Sequence, residues 1–122
     1  MKKIRTYHWC CTILLIAGLT FWGCGKKEAE PLKIGGIFDI TGPTSGVGKD
    51  YAQAAKDAES YINENGGING RQIQLIANDY AYKIPEAVSL YKQYKDVDKV
   101  FCIQGWGTGD TNTLKQQVNK DK

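Results

Sequence analysis

The sequence predicts an α/β fold built on a parallel sheet, and three observations support this prediction. Short apolar runs at 32–38, 72–77 and 100–103 are separated by segments whose small and apolar residues recur at helical spacing. The elements therefore alternate as β-α-β-α-β-α. Consecutive β-α units of this kind form parallel sheets with right-handed crossovers. From residue 32 onward we expect one α/β domain.

The first helix is predicted for residues 49–65, where small and apolar side chains recur at steps of three and four residues. Gly66 and Gly67 follow and can adopt the left-handed conformation that ends a helix. Asn69-Gly70 then predicts a tight turn into the second strand. The sequence thus marks the end of the first β-α unit clearly.

Asp79, after the second strand, is expected to satisfy a turn. The second helix is predicted to open at Pro85, since proline fits the first turn of a helix. The third strand, 100–103, is expected to be buried on both faces, which would make Cys102 a buried, unreactive thiol. A third helix is expected from Thr111. No fourth strand follows, so we expect an incomplete sheet that folds poorly alone.

The first 23 residues are predicted to be an export signal. A basic start precedes an apolar run at 10–22, which is too short to span a bilayer comfortably. A buried core helix is the alternative, but the basic and glycine-containing flanks disfavour it. The segment ending in Gly23-Cys24 resembles a bacterial lipobox, which implies cleavage before Cys24 and lipid attachment to it. Residues 24–31 are interpreted as a tether and 32–122 as the domain.

Composition excludes several functions once residues 1–23 are set aside. Lys2, Lys3 and Arg5 account for three of the 16 basic residues, which leaves a balance with the 13 acids. A nucleic-acid partner, which requires a basic surface, thereby loses its support. The only histidine, His8, lies in the signal, so a catalytic triad or a zinc site of common design is absent. We expect no enzyme activity, cofactor or metal.

The stretch TGPTSGVGKD at 41–50 is similar to a phosphate-binding loop but departs from it at two positions. Gly42 and Gly48 have five residues between them instead of four, and Asp50 stands where the magnesium-binding hydroxyl belongs. The simplest alternative is a glycine-rich strand-to-helix turn without a ligand, in which Gly46 and Gly48 permit positive φ. We therefore predict no nucleotide site here.

Three segments together resemble the N-terminal lobe of type I periplasmic binding proteins: IGGIFDITGPTSGVGKDYAQAAKDA, YINENGGINGRQIQLIANDYAY and GWGTGDT. They are most similar to substrate-binding lipoproteins of branched-chain amino acid ABC importers. The resemblance implies two flavodoxin-like lobes that close on an amino acid, an amide or a similar small polar solute. It also implies an ABC permease as partner and an exported protein anchored to the membrane. A sensory ligand-binding module of the same fold is the alternative, and an exported enzyme is a third hypothesis.

The resemblance assigns a ligand site to the edge of the sheet where the strands end. In amino-acid binders the loop after the third strand offers a hydroxyl and main-chain amides to the carboxylate of the ligand, and Thr108 occupies the hydroxyl position. Trp106 is expected to contact the apolar part of the ligand, or else to pack between lobes. Asp110 is expected to cap a helix, since an acid would repel a carboxylate. The candidate ligand-binding residues are Thr108, Trp106, Gly109, Thr111, Ser45 and Thr44.

Overall fold

The computed structural model describes residues 29–121. The predicted signal, the predicted lipidation site Cys24 and most of the predicted tether lie outside these residues. Within them, strands and helices alternate. The elements are β1 (Leu32–Phe38), α1 (Ser45–Glu64), β2 (Ile73–Asp79), α2 (Ile84–Gln93, continued by a π-helical turn over Tyr94–Asp98), β3 (Cys102–Gln104) and α3 (Thr108–Lys120).

The three strands form one parallel sheet in the order β2-β1-β3, which confirms the predicted fold class. The central strand β1 pairs along its whole length with β2 and over three residues with β3. All three strands therefore end at the same edge, which we call the carboxyl edge, and begin at the opposite one, the amino edge. Loops that leave the carboxyl ends of β1 and β3 are adjacent in space.

Two glycines in the central strand make room for aromatic rings. A Cβ on Gly35 would collide with the ring of Tyr94, and one on Gly36 with the ring of Phe38. The fully buried Tyr94 hydroxyl lies 2.8 Å from the carbonyl oxygen of Gly36 and 2.9 Å from that of Ile76. It thus joins the end of α2 to both β1 and β2. Glycine is needed in this strand because another side chain approaches its backbone closely.

Two helices begin earlier than the sequence predicts. The first starts at Ser45 instead of residue 49, and the third at Thr108 instead of Thr111. The glycine-rich loops continue directly into helix, so Gly46 and Gly48 are helical and do not use the positive φ that glycine permits. Gly48 is required for another reason, since a Cβ there would collide with the carbonyl oxygen of Asp39.

The turn after α1 follows the prediction. Gly66 and Gly67 have φ of 92° and 73°, as expected for residues that end a helix. Asn69 and Gly70 have φ of 53° and 78°. The turn is closed by two backbone hydrogen bonds between Ile68 and Arg71. The chain is thereby returned into β2.

The prediction of a third strand buried on both faces is wrong. It covers only Cys102–Gln104, and Cys102 is exposed. Within residues 29–121, β3 pairs with β1 alone, so its other edge has no neighbouring strand. An apolar sequence pattern reports how a strand is covered by the whole fold, and the described residues leave Cys102 uncovered at an unpaired edge.

Candidate functional site

The two glycine-rich loops meet at the carboxyl edge of the sheet. The first loop follows β1 and leads into α1, and the second follows β3 and leads into α3. The indole Nε1 of Trp106 in the second loop donates a hydrogen bond of 2.7 Å to the hydroxyl of Thr44 in the first. The sequence prediction that both loops lie at one edge is therefore confirmed by a direct contact.

Asp39 holds the first loop in place. Its side chain is fully buried, and its carboxylate accepts hydrogen bonds from the amide of Gly42 at 2.6 Å and the amide of Thr44 at 2.7 Å. The Thr44 hydroxyl donates a third bond of 2.5 Å. A buried carboxylate is costly unless it is hydrogen-bonded in this way. This role of Asp39 was not predicted from the sequence, although an aspartate directly before a turn is a known signal for such bonds.

Thr44 and Trp106 connect the two loops. The Thr44 hydroxyl gives its single proton to Asp39 and accepts from Trp106, so both groups fix its orientation. The Trp106 ring lies 5.1 Å from the ring of Tyr51 on α1, and the Tyr51 hydroxyl accepts a 2.7 Å bond from the side-chain amide of Gln104. Trp106 is thus half-buried against α1 and packs between the two loops.

Asp110 is buried at the start of α3. It lies in the first turn of α3 with only 1% of its surface exposed, and it accepts a 3.1 Å hydrogen bond from the hydroxyl of Tyr80. Among residues 29–121 the Asp110 carboxylate accepts a hydrogen bond from Tyr80 and from no amide of the helix, so the prediction that it caps the helix is wrong. Burial, together with the hydrogen bond to Asp110 and its negative charge, raises the pKa of Tyr80 above its ordinary value. The pair joins the turn after β2 to the start of α3.

Unused donors of the site lie at the first turns of two helices. Thr108, the first residue of α3, is exposed, and its hydroxyl makes no hydrogen bond to any described residue. Ser45, the first residue of α1, is half-buried and its hydroxyl is likewise unbonded within residues 29–121. The amides of a first helical turn lack intrahelical partners and carry partial positive charge. The structure therefore provides hydroxyl and amide donors suited to an anion.

The other two candidate residues of the second loop, Thr111 and Gly109, differ from Thr108 in how their polar groups are used. The Thr111 hydroxyl donates to the carbonyl oxygen of Gly107 at 2.7 Å, which leaves it committed to its own helix. Gly109 is half-buried in the first turn of α3, where its amide belongs to the same set of donors as that of Thr108. Of the second-loop residues, Thr108 is the one with a free hydroxyl.

Asp79 stabilises the turn after β2, as the sequence predicts. Its carboxylate accepts bonds from the hydroxyl of Thr41 at 2.5 Å and from the amides of Ile40 and Ala81 at 2.9 Å each. Burial acts to raise the pKa of Asp79, but these hydrogen bonds outweigh it and the pKa is lowered. Tyr82 follows in a left-handed conformation, with φ of 59°, and is partly exposed at the carboxyl edge.

Within residues 29–121 no group of three or more His, Cys, Asp or Glu side chains is placed to hold a metal ion. No helix in the same range is both long enough and apolar enough to cross a membrane.

The fold and this site define a class of protein: a parallel α/β lobe that binds ligands where its strands end and its helices begin. The family described as periplasmic binding protein matches residues 31–122, and the chain belongs to this family. The chain is 31% identical over 93 residues to a Pseudomonas aeruginosa protein named amino acid binding protein, and the alignment covers 76% of this chain and 25% of the relative. The chain therefore spans about a quarter of the length of that relative.

Solved structures of substrate-binding proteins share the fold. An ABC transporter substrate-binding protein from Aeropyrum pernix gives a TM-score of 0.71 at 39% identity, covering 76% of this chain and 25% of that one. A branched-chain amino acid transporter protein from Streptococcus pneumoniae, in complex with isoleucine, gives 0.69 at 28% identity, covering 75% and 26%. A fatty acid ABC transporter protein from Thermomonospora curvata gives 0.67 at 29% identity, covering 75% and 23%. The second and third of these proteins are named for different solutes, a branched-chain amino acid and a fatty acid.

Proposed function

We propose that this chain forms part of the solute-binding component of an ABC importer and binds the carboxylate of a small solute at the carboxyl edge of its sheet. The observation that carries the proposal is the hydroxyl of Thr108 at the first turn of α3, which is unbonded within residues 29–121 and follows the loop that Trp106 joins to Thr44. A helix N-terminus with unused donors is suited to an anion.

The matched relatives support a carboxylate in particular. Amino acids, isoleucine and fatty acids, named for three of the relatives, share a carboxylate and differ in the rest of the molecule. We infer that the second loop and α3 bind this common group, with Thr108 and the amide of Gly109 as donors. Ser45 begins α1 directly after Thr44, whose hydrogen bond with Trp106 joins the two loops.

We further propose that the protein is exported and attached to the membrane through lipid on Cys24, with residues 24–31 as tether. The order of a basic start, an apolar run and Gly23-Cys24 supports this proposal. An importer needs its binding component close to the permease, and lipid attachment provides this. Mass spectrometry of Cys24 in the protein isolated from membranes tests this part of the proposal separately.

The carboxylate proposal is tested by calorimetric titration of the complete protein with a panel of amino acids and fatty acids. For any solute that binds, the amide of the same acid is titrated as its matched partner. We expect the amide to bind roughly 10- to 100-fold more weakly, because a charge-assisted hydrogen bond contributes about 1.5–3 kcal/mol. Equal affinity for acid and amide would contradict the proposal, as would no binding by any member of the panel.

A further inference from the structure

The amino edge of the sheet, opposite the candidate site, exposes unusual amounts of apolar side chain. Phe101, which precedes β3, is 77% exposed, and Val97 at the end of the π-helical turn is 73% exposed. Tyr61 in the last turn of α1 is 69% exposed, and Ile68, beside the start of β2, is also exposed. These are four of the seven large apolar side chains exposed among the described residues, and Phe101 also borders the unpaired edge of β3.

Cationic side chains surround the same edge. Lys33, Arg71 and Lys99 line an open hollow of about 270 Å³ together with Phe101. Lys33 and Arg71 donate to the carbonyl oxygens of Asp98 and Glu30. Within residues 29–121 the ion pairs all involve Lys95, so none of the three cations is paired with a carboxylate.

Two carboxylates also lie in the hollow and bear on its charge. Glu30 and Asp98 line it, and the Asp98 carboxylate accepts a 3.2 Å hydrogen bond from the side chain of Gln93. With three cations against these two acids, the hollow retains an excess of one positive charge. Lysine and arginine near a membrane are attracted to its anionic lipids, and apolar side chains beside them can enter the interface.

We propose that the amino edge is a membrane-contacting surface, in which Lys33, Arg71 and Lys99 bind the phosphate of an anionic phospholipid headgroup and Phe101 enters the interface. The proposal rests on the lipid attachment proposed above, because attachment brings this edge to the membrane. The eight residues from 24 to 31 span at most roughly 30 Å when extended. Since they lead directly into the start of β1, the amino edge is the part of the lobe held nearest to the bilayer.

A chemical anchor allows the membrane-contacting surface to be tested whether or not the natural protein carries lipid on Cys24. The complete protein is produced from Cys24 onward with Cys102→Ser and is coupled through Cys24 to maleimide lipids in vesicles. Vesicles of phosphatidylcholine alone are compared with vesicles that also contain phosphatidylglycerol, and amide hydrogen exchange is followed. We expect slower exchange at residues 68–71 and 97–101 on the anionic vesicles and unchanged exchange at 45–48.

Matched variants then test the groups named. Lys99→Gln should lower the membrane-contacting population about fivefold, since one basic residue near an anionic surface contributes on that scale. Phe101→Ser should also lower it, whereas Val47→Ser, at another exposed apolar residue near the opposite edge, should not. Equal exchange on both vesicle types would overturn the membrane surface, as would protection at 97–101 that is already complete without vesicles. Neither result bears on lipid at Cys24, which the mass spectrum decides.

Discussion

Two buried aspartates, Asp39 and Asp110, hold the two loops of the candidate site, and they do so differently. Asp39 accepts three hydrogen bonds, all from residues within five positions of it in the sequence. Asp110 accepts one from Tyr80, thirty positions away. The first loop is therefore fixed by local bonds, whereas the second depends on the packing of distant elements. This difference predicts that substitutions in the two loops lower the free energy of unfolding by unequal amounts.

Asp39→Ala should have the largest effect. It removes the acceptor for two amides and one hydroxyl, and each buried group left unsatisfied costs about 1–3 kcal/mol. We expect the free energy of unfolding of the complete protein to fall by roughly 3 kcal/mol or more. Urea denaturation measures it. Asp39→Asn keeps one acceptor oxygen and should lose less; equal losses in both variants would show that the hydrogen bonds do not hold the loop.

Gly48→Ala should rank next. The added Cβ collides with the carbonyl oxygen of Asp39, a backbone atom that cannot move alone, so a loss of about 1–3 kcal/mol is expected. Gly46→Ala is the matched control in the same helical turn, because no atom lies within 4 Å of its added Cβ. It should be neutral or stabilising by up to about 1 kcal/mol. Similar losses for both variants would refute the close approach of α1 to the strand end.

Tyr80→Phe probes the second loop. It leaves the buried carboxylate of Asp110 without its donor and should cost about 1–3 kcal/mol at neutral pH. In the wild type, burial of Tyr80 raises its pKa above the ordinary value of 10.0. The unfolded chain then ionises first as the pH rises past 10, so stability present below pH 10 is lost above it.

Alkaline denaturation of the two proteins tests this account. The wild type should lose stability more steeply above pH 10 than Tyr80→Phe, which lacks the ionisable hydroxyl. Tyr82→Phe, at an exposed ring beside it, should change the free energy of unfolding by less than about 0.5 kcal/mol. Parallel pH curves for wild type and Tyr80→Phe would contradict a special environment at Tyr80.

The sequence predicted what depends on local patterns and missed what depends on distant contacts. Apolar runs and helical spacing predicted the order of strands and helices, and two glycine-rich loops predicted the location of the site. The hydrogen bond between Trp106 and Thr44 could not be predicted from the sequence, since these residues lie 62 positions apart. Exposure of Cys102 was missed because an apolar pattern does not reveal which strand lacks a neighbour among the described residues.

The central claim is that the first turn of α3 binds a carboxylate through Thr108. It is tested most directly by the affinity of Thr108→Val for a bound acid and for its amide. The control is Thr113→Val, whose hydroxyl donates to the carbonyl oxygen of Gly109 within α3 and lies about one turn further on. We predict that Thr108→Val weakens acid binding roughly 10- to 100-fold and amide binding much less, while Thr113→Val changes either less than about threefold. Equal effects of the two variants on acid binding would contradict the claim.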